Sequence, residues 1–277
     1  MFEKLLVPVD GSAPAKRAAK YGLELAAIYD AAVDVLHVTD DDEQGTRVLD
    51  EATAFDVAED LPVERHLVEG KPSKAIVRHA IEADADLVVM GRYGRSGITQ
   101  HLLGNTSERV LRNTEVPVLT VPGDGVDEGT GREYSDVLLT TDGSEMAEKA
   151  APYAADVAGR TAATLHLLTV VDVQAEAGPF DAGGVDKEYV DRLRNRGQDA
   201  LDSVEDSLDT TTLDVESSLA EGDTIEEIVS YADEKDVDLL AISSEGQNNV
   251  VGQRLGSVTG KVLKQVDRPV LVVPTPK

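Results

Sequence analysis

Four segments of this 277-residue chain occur twice in the same order, so the fold must be one that can be built twice from a single strand-and-helix recipe. Lys4-Leu-Leu-Val-Pro-Val-Asp10-Gly-Ser12 returns as Asp136-Val-Leu-Leu-Thr-Thr-Asp142-Gly-Ser144, and Val33-Asp-Val-Leu-His-Val-Thr-Asp40 returns as Leu165-His-Leu-Leu-Thr-Val-Val-Asp172. Ala85-Asp-Leu-Val-Val-Met90 matches Val237-Asp-Leu-Leu-Ala-Ile242, and Val116-Pro-Val-Leu-Thr-Val-Pro122 matches Arg268-Pro-Val-Leu-Val-Val-Pro274. The offset is 132 residues for the first two pairs (10 to 142) and 152 for the last two (116 to 268). The second copy therefore carries extra residues between its second and third strands, around 174–196. Four glycines lie between Gly123 and Gly131 without an apolar period, which reads as a flexible join. The division expected is a first domain over 1–123, a linker over 124–133 and a second domain over 134–277.

Within each copy, short Val/Leu/Ile runs alternate with alanine-rich stretches of helical period. Ala15, Ala18, Ala19, Gly22, Leu25 and Ala26 share one face of a helix, and Ala147–Ala158 repeats the pattern. Strands that are apolar on both faces and alternate with helices imply a parallel sheet covered on both sides. The expected architecture is α/β: two tandem copies of a five-stranded parallel sheet with helices on both faces, of Rossmann-like type. The strands are expected near 4–9, 33–38, 63–68, 86–90 and 116–121, then near 136–141, 164–170, 213–219, 238–242 and 269–273.

Composition removes several functions. Fifty-three acidic against 26 basic residues give a formal charge of −27, a field that repels nucleic acid and anionic lipid alike. Spread along an apolar-patterned chain, this charge reads as adaptation to a high-salt (halophilic) cytoplasm, where salt screens the repulsion. There is no cysteine, hence no disulfide or thiolate site. The five histidines show neither an i,i+4 pair nor HExxH spacing. The start lacks a signal-peptide pattern, and no apolar run approaches the roughly 18 residues that cross a bilayer. A soluble, cytoplasmic protein is expected.

In an open parallel sheet, ligands sit beyond the carboxyl ends of the strands, where strand order reverses. Asp10-Gly11-Ser12, Val38-Thr39-Asp40 and Met90-Gly91-Arg92-Tyr93-Gly94 converge there, the last running on to Gly104-Asn105-Thr106-Ser107 at a helix start. Gly91 and Gly94 let backbone approach a ligand, Arg92 and Arg95 add positive charge, and free amides at a helix N-terminus attract anions. Spacing alone equally permits a plain reading, in which the glycines form turns and Asn105 with Glu108 forms a capping box. A P-loop is excluded, since GxxxxGK[ST] does not occur. No nucleophile–base–orienter set is visible, and His37 and His101 read as structural and solvent-exposed respectively. An acidic Asp40-Asp41-Asp42 run does not make a phospho-acceptor receiver, because the third and fifth strands lack that fold's aspartate and lysine.

Gly91-x2-Gly94-x9-Gly104-Asn105, set between a strand ending in Met90 and the helix from Ser107, resembles the signature of ATP-binding universal stress proteins. Pro8-Val9-Asp10-Gly11-Ser12, Leu36-His37-Val38 and Val116-Pro117-Val118 are similar to that family's first, second and fifth strands. The likeness covers both copies, leaving out the linker and the 174–196 excursion. It implies the adenine nucleotide alpha hydrolase-like form of the fold, with ATP or another adenine nucleotide bound beside Mg2+. Asp10 would hold ribose or the adenine edge, the backbone near Val9 and Val38 would flank adenine, and Pro8, Ser12 and Met90 would belong to the same nucleotide site. Gly91, Arg92, Gly94, Gly104, Asn105, Thr106 and Ser107 would cradle phosphates. Asn105 departs from the family's usual Ser or Thr.

The second copy departs further: Ser243 replaces the first glycine, and Ser244, Glu245 and Gln247 replace Arg92, Tyr93 and Arg95. Asp142, Ser144, Val170, Gly246, Gly256, Ser257 and Thr259 persist, so a weaker or empty second site is expected. The resemblance further implies fifth strands meeting across a dimer axis, either as an intramolecular pseudo-dimer or between chains as a homodimer. Three functions fit: a nucleotide-dependent stress-response protein with slow or no hydrolysis, a nucleotide-free dimerisation scaffold, and an adenylyl-transferring enzyme. The last lacks its usual SGGxDS or HIGH motif.

Overall fold

The computed structural model describes residues 1–92, 103–123, 134–173, 187–208, 212–246 and 255–275. The first half contributes β1 (Lys4–Val9), β2 (Ala32–Val38), β3 (Val63–Val68), β4 (Leu87–Arg92) and β5 (Val118–Pro122). The second contributes β6 (Asp136–Thr140), β7 (Thr164–Val171), β8 (Asp214–Glu221), β9 (Leu239–Ser243) and β10 (Val270–Val273). Each strand lies within a residue or two of its expected span. The described helices are α1 (Ala13–Tyr29), α2 (Asp42–Ala52), α3 (Pro72–Glu82) and α4 (Asn105–Asn113), then α5 (Glu145–Glu148), α6 (Ala151–Thr161), α7 (Lys187–Ser207), α8 (Thr224–Glu234) and α9 (Ser257–Gln265).

β1 shows why these segments are strands. Leu5 and Val7 enter one core with Ala18, Leu23 and Leu25 of α1, while Leu6 enters the other with Ile76, Val88 and Val110. All are buried, and each fully buried aliphatic side chain contributes about 1.5–3 kcal/mol. Local signals then set the helix ends. Ser12 caps α1 by accepting the Ala15 amide at 3.3 Å, and the chain leaves α1 through Asp30 in the left-handed region (φ 53°).

The strand order is β3-β2-β1-β4-β5-β10-β9-β6-β7-β8, one ten-stranded sheet. Pairing within each half is parallel, with β1 between β2 and β4, and β6 between β7 and β9. Successive crossovers therefore reverse direction at β1/β4 and at β6/β9, which opens a crevice at the carboxyl ends of those strands. The halves meet where β5 and β10 pair antiparallel, Val118 opposite Val272 and Thr120 opposite Val270.

Side chains reinforce this seam. The Tyr134 and Tyr21 hydroxyls hydrogen-bond at 2.7 Å, Phe2 stacks on Tyr153 at 5.9 Å, and the Arg160 guanidinium lies 4.5 Å from the centre of the Tyr29 ring. Arg92, 3% exposed at the end of β4, donates to the carbonyls of Val266 at 2.8 Å and Arg268 at 2.7 Å. The sheet's outer strands, β3 and β8, carry Glu64, Arg65, Asp214 and Glu216, charges that discourage edge-to-edge pairing.

Candidate functional site

The carboxyl ends of equivalent strands are built alike in the two halves. Asp10 accepts the Ser12 amide at 3.0 Å, and Asp142 accepts the Ser144 amide at 3.0 Å, so each strand-to-helix turn is braced by its own aspartate. The Ser12 and Ser144 hydroxyls both serve as helix caps. His37 Nδ1 donates to the Val9 carbonyl at 2.7 Å, where the second half has Thr169 Oγ1 donating to the Thr141 carbonyl at 3.0 Å. Different side chains make one cross-brace between equivalent strands. His37 is therefore the structural residue that the sequence suggested.

Two more hydroxyls are matched. Ser107 Oγ donates to the Gly91 carbonyl at 2.9 Å, and Thr259 Oγ1 donates to the Ser243 carbonyl at 2.8 Å. Both tie the first turn of the following helix to the strand end. Gly91 is required by packing: a Cβ there would lie 2.5 Å from the Pro14 carbonyl oxygen, at the start of α1. Gly104 precedes α4 without a side-chain cap, and Asn105 opens the helix exposed, with Thr106 half-buried. The alternative capping box is not formed, because Glu108 instead pairs with Arg112 at 2.9 Å.

Of the first-half residues singled out in the sequence, Pro8, Val9 and Asp10 stand at the end of β1, Ser12 caps α1, Val38 ends β2, Gly91 lies near the end of β4, and Gly104, Asn105, Thr106 and Ser107 open α4. Met90 is buried in the core with Leu6 and Leu36, and the Arg92 head group faces the other half. Gly94, with the rest of 93–102, lies outside the described residues, as do the linker 124–133 and the 174–186 part of the excursion.

In the second half the same rim forms a cleft of about 370 Å³, a size typical of small-molecule sites. Asp142, Val170, Gly246, Gly256, Ser257 and Thr259 line it, which leaves out only Ser144 of the residues expected there. Gly246 passes so near Asp142 that a Cβ would fall 2.5 Å from the carboxylate. Two lining cations were not legible in the sequence: Arg196 on α7 and Lys261 on α9. Gly197 seats α7 on β7, since a Cβ there would meet Leu219 at 2.9 Å and Thr169 at 3.2 Å, and this close seating brings Leu193 and Arg196 to the cleft. The end of the 174–196 excursion thus forms a wall of the cleft. Asp172, Asp223 and Glu245 also line it, so among the described residues four carboxylates, Asp142 included, face two cations. Among the described residues, no helix is long and apolar enough to cross a membrane.

A family model described as the universal stress protein family matches residues 1–122 and 133–274. A universal stress protein of Methanocaldococcus jannaschii is 32% identical over 144 residues, which is 52% of this chain and 84% of the relative. A universal stress protein of Mycolicibacterium smegmatis is 27% identical over 295 residues, spanning 97% of this chain and 96% of the relative. Among solved structures, a universal stress protein from Archaeoglobus fulgidus superposes with a TM-score of 0.73 at 22% identity, covering 97% of each chain, a likeness of fold.

Proposed function

Because the chain belongs to the universal stress protein family through both of its halves, we propose that it binds an adenine nucleotide, ATP first, at the carboxyl rim of its sheet. In this reading it is a nucleotide-dependent stress-response or regulatory protein with slow or no hydrolysis. The observation that carries the proposal is the 370 Å³ cleft at the β6/β9 crevice, with a helix start at Gly256-Ser257 and cations at Arg196 and Lys261. An adenosine moiety suits the apolar side made by Val170, Leu193 and Ile228, and phosphates suit the exposed amides that open α9.

Among the described residues, four lining carboxylates against two cations disfavour a bare triphosphate, so the nucleotide is proposed to enter with Mg2+. In the first half the proposal keeps Pro8, Val9, Asp10 and Val38 for the nucleoside, and Gly94, Gly104, Asn105 and Thr106 for phosphate. Arg92 is assigned to the seam. The earlier ranking of the two sites changes accordingly: the second half is proposed to bind, with Arg196 and Lys261 standing in for the loop arginines it lacks. On assembly, the β5–β10 seam is read as a pseudo-dimer contact, with association of two chains secondary to it.

One observation favours the rival scaffold reading: Arg92, Ser107 and Thr259 are all committed to backbone carbonyls. Equilibrium dialysis against ATP, with and without MgCl2 in multimolar KCl, separates the two. Saturable, magnesium-dependent uptake is expected. Gly246→Val places a branched side chain against Asp142 and is expected to weaken the second-half site by roughly tenfold or more, with its unfolding temperature little changed. No uptake at millimolar ATP would leave the scaffold reading in its place. Phosphate release measured on the same samples tests the expectation of slow or no hydrolysis.

A further inference from the structure

On the first-half sheet face that α3 covers, apart from the second-half cleft, three residues remote in sequence converge. Asp34 stands near the start of β2, His66 on β3 and His79 in the last turn of α3. The Asp34 side chain is 3% exposed, His79 15% and His66 28%. His66 Nε2 lies 3.4 Å from Asp34 Oδ1, His79 Nε2 lies 3.3 Å from Asp34 Oδ2, and the ring centroids are 4.6 Å apart. One ligand atom from each residue falls within 4.8 Å of the others. Two imidazole nitrogens and a carboxylate oxygen on a tetrahedral zinc, with bonds of about 2.0–2.2 Å, stand roughly 3.3–3.5 Å apart. The two nitrogen–oxygen separations are of that size, each to a different oxygen of the Asp34 carboxylate, and the His79 contact serves as a hydrogen bond while no cation is bound.

His66 Nε2 is buried and makes no hydrogen bond, although the Asp34 carboxylate is beside it. Glu64 Oε2, 3.7 Å from the same nitrogen, is a further oxygen donor within reach.

The second half shows what the same position looks like as a closed structural network. Asp136, His166 and Tyr231 occupy the places of Lys4, Asp34 and His79. His166 Nε2 meets Asp136 Oδ1 at 2.8 Å and its Nδ1 meets the Tyr231 hydroxyl at 3.1 Å, so both ring nitrogens are used. Acid and base have exchanged strands, and a phenol stands where the second imidazole would be. Folding at this position thus needs one ion pair. A second imidazole aimed at the same carboxylate is surplus to it.

We propose that Asp34, His66 and His79 form a binding site for a divalent late first-row cation, zinc being the best match to two imidazoles and a carboxylate. Lys4, whose ammonium lies 3.1 Å from Asp34 Oδ2, occupies the carboxylate in the metal-free protein and swings to solvent when the cation enters. The bound cation staples α3 to β2 and β3. The site is independent of nucleotide, since it shares no residue with the cleft.

The test uses the full chain, freed of metal with chelator and kept in multimolar KCl to suppress loose binding by surface carboxylates. Cobalt(II) serves as the spectroscopic probe, with zinc competing for the same site. The wild type is expected to saturate at one cobalt per chain with the intense visible absorption of a tetrahedral nitrogen/oxygen site, which zinc then bleaches. His66→Gln with His79→Gln is expected to lose that absorption and to weaken zinc by more than the roughly 10–100-fold that outer-shell changes cost. Lys4→Gln is expected to tighten zinc several-fold, an outcome that a merely structural role for the cluster would not produce. Should the double variant unfold, His79→Gln alone carries the same comparison. Equal cobalt spectra in wild type and variant, or uptake without saturation, would overturn the site.

Discussion

Arg92→Met is expected to lower stability by about 2–4 kcal/mol and to resolve thermal unfolding into two transitions, one for each half. Arg92 is 3% exposed and gives two charge-assisted hydrogen bonds, at 2.8 and 2.7 Å, to carbonyls that belong to the other half. Such a bond contributes about 1.5–3 kcal/mol, and methionine fills the volume without supplying a donor, so two buried carbonyls lose their partner. At about 2–4 °C per kcal/mol for a domain of 150–250 residues, the midpoint should fall by roughly 5–15 °C. Differential scanning calorimetry reads both the midpoint and the splitting. The alternative role is testable in the same protein: a phosphate-binding Arg92 would give weaker nucleotide binding and an unchanged single transition.

A second large effect is expected from salt. With 53 acidic and 26 basic residues, the folded surface is crowded with like charges. Two carboxylates about 8 Å apart repel by ~0.5 kcal/mol in water, and some ten such pairs sum to about 5 kcal/mol. The Debye length is about 3 Å at 1 M salt and about 10 Å at 0.1 M, so only the concentrated solution removes the repulsion. Moving from 2 M KCl to about 0.1 M should therefore cost roughly 10–20 °C in melting temperature, by the same conversion. The trend should be followed in KCl and in NaCl. A melting temperature indifferent to either salt would mean that the acidic surface is no adaptation to ionic strength.

The repeat made much of this molecule legible. Adjacent residues along each Val/Leu/Ile run had to face opposite cores, which placed every strand, and Asp10 and Asp142 matched because the same braced turn follows β1 and β6. The seam contacts of Arg92 could not be read from the sequence, because the carbonyls its side chain meets, those of Val266 and Arg268, are 174 and 176 residues away and only the antiparallel seam brings them near. Arg196 escaped notice because it sits at the end of the excursion, where alignment of the copies loses its register. One clue was available there. Gly45 and Gly197 are 152 residues apart, and each lies where a Cβ would press into a neighbouring side chain, 2.5 Å from Leu67 and 2.9 Å from Leu219. By that pairing α7 answers to α2. The Asp34–His66–His79 cluster had no local signature, because three separate elements supply one residue each.

The antiparallel register of β5 with β10 has a consequence for how the molecule behaves at low abundance. Two separate chains joined through such strands come apart on dilution, and their association depends on how many copies are present. Here the partner strand travels on the same polypeptide, so its effective concentration is set by tether length. If the seam serves as the proposed pseudo-dimer contact, the paired form is expected to persist on dilution and to unite the two unlike crevices.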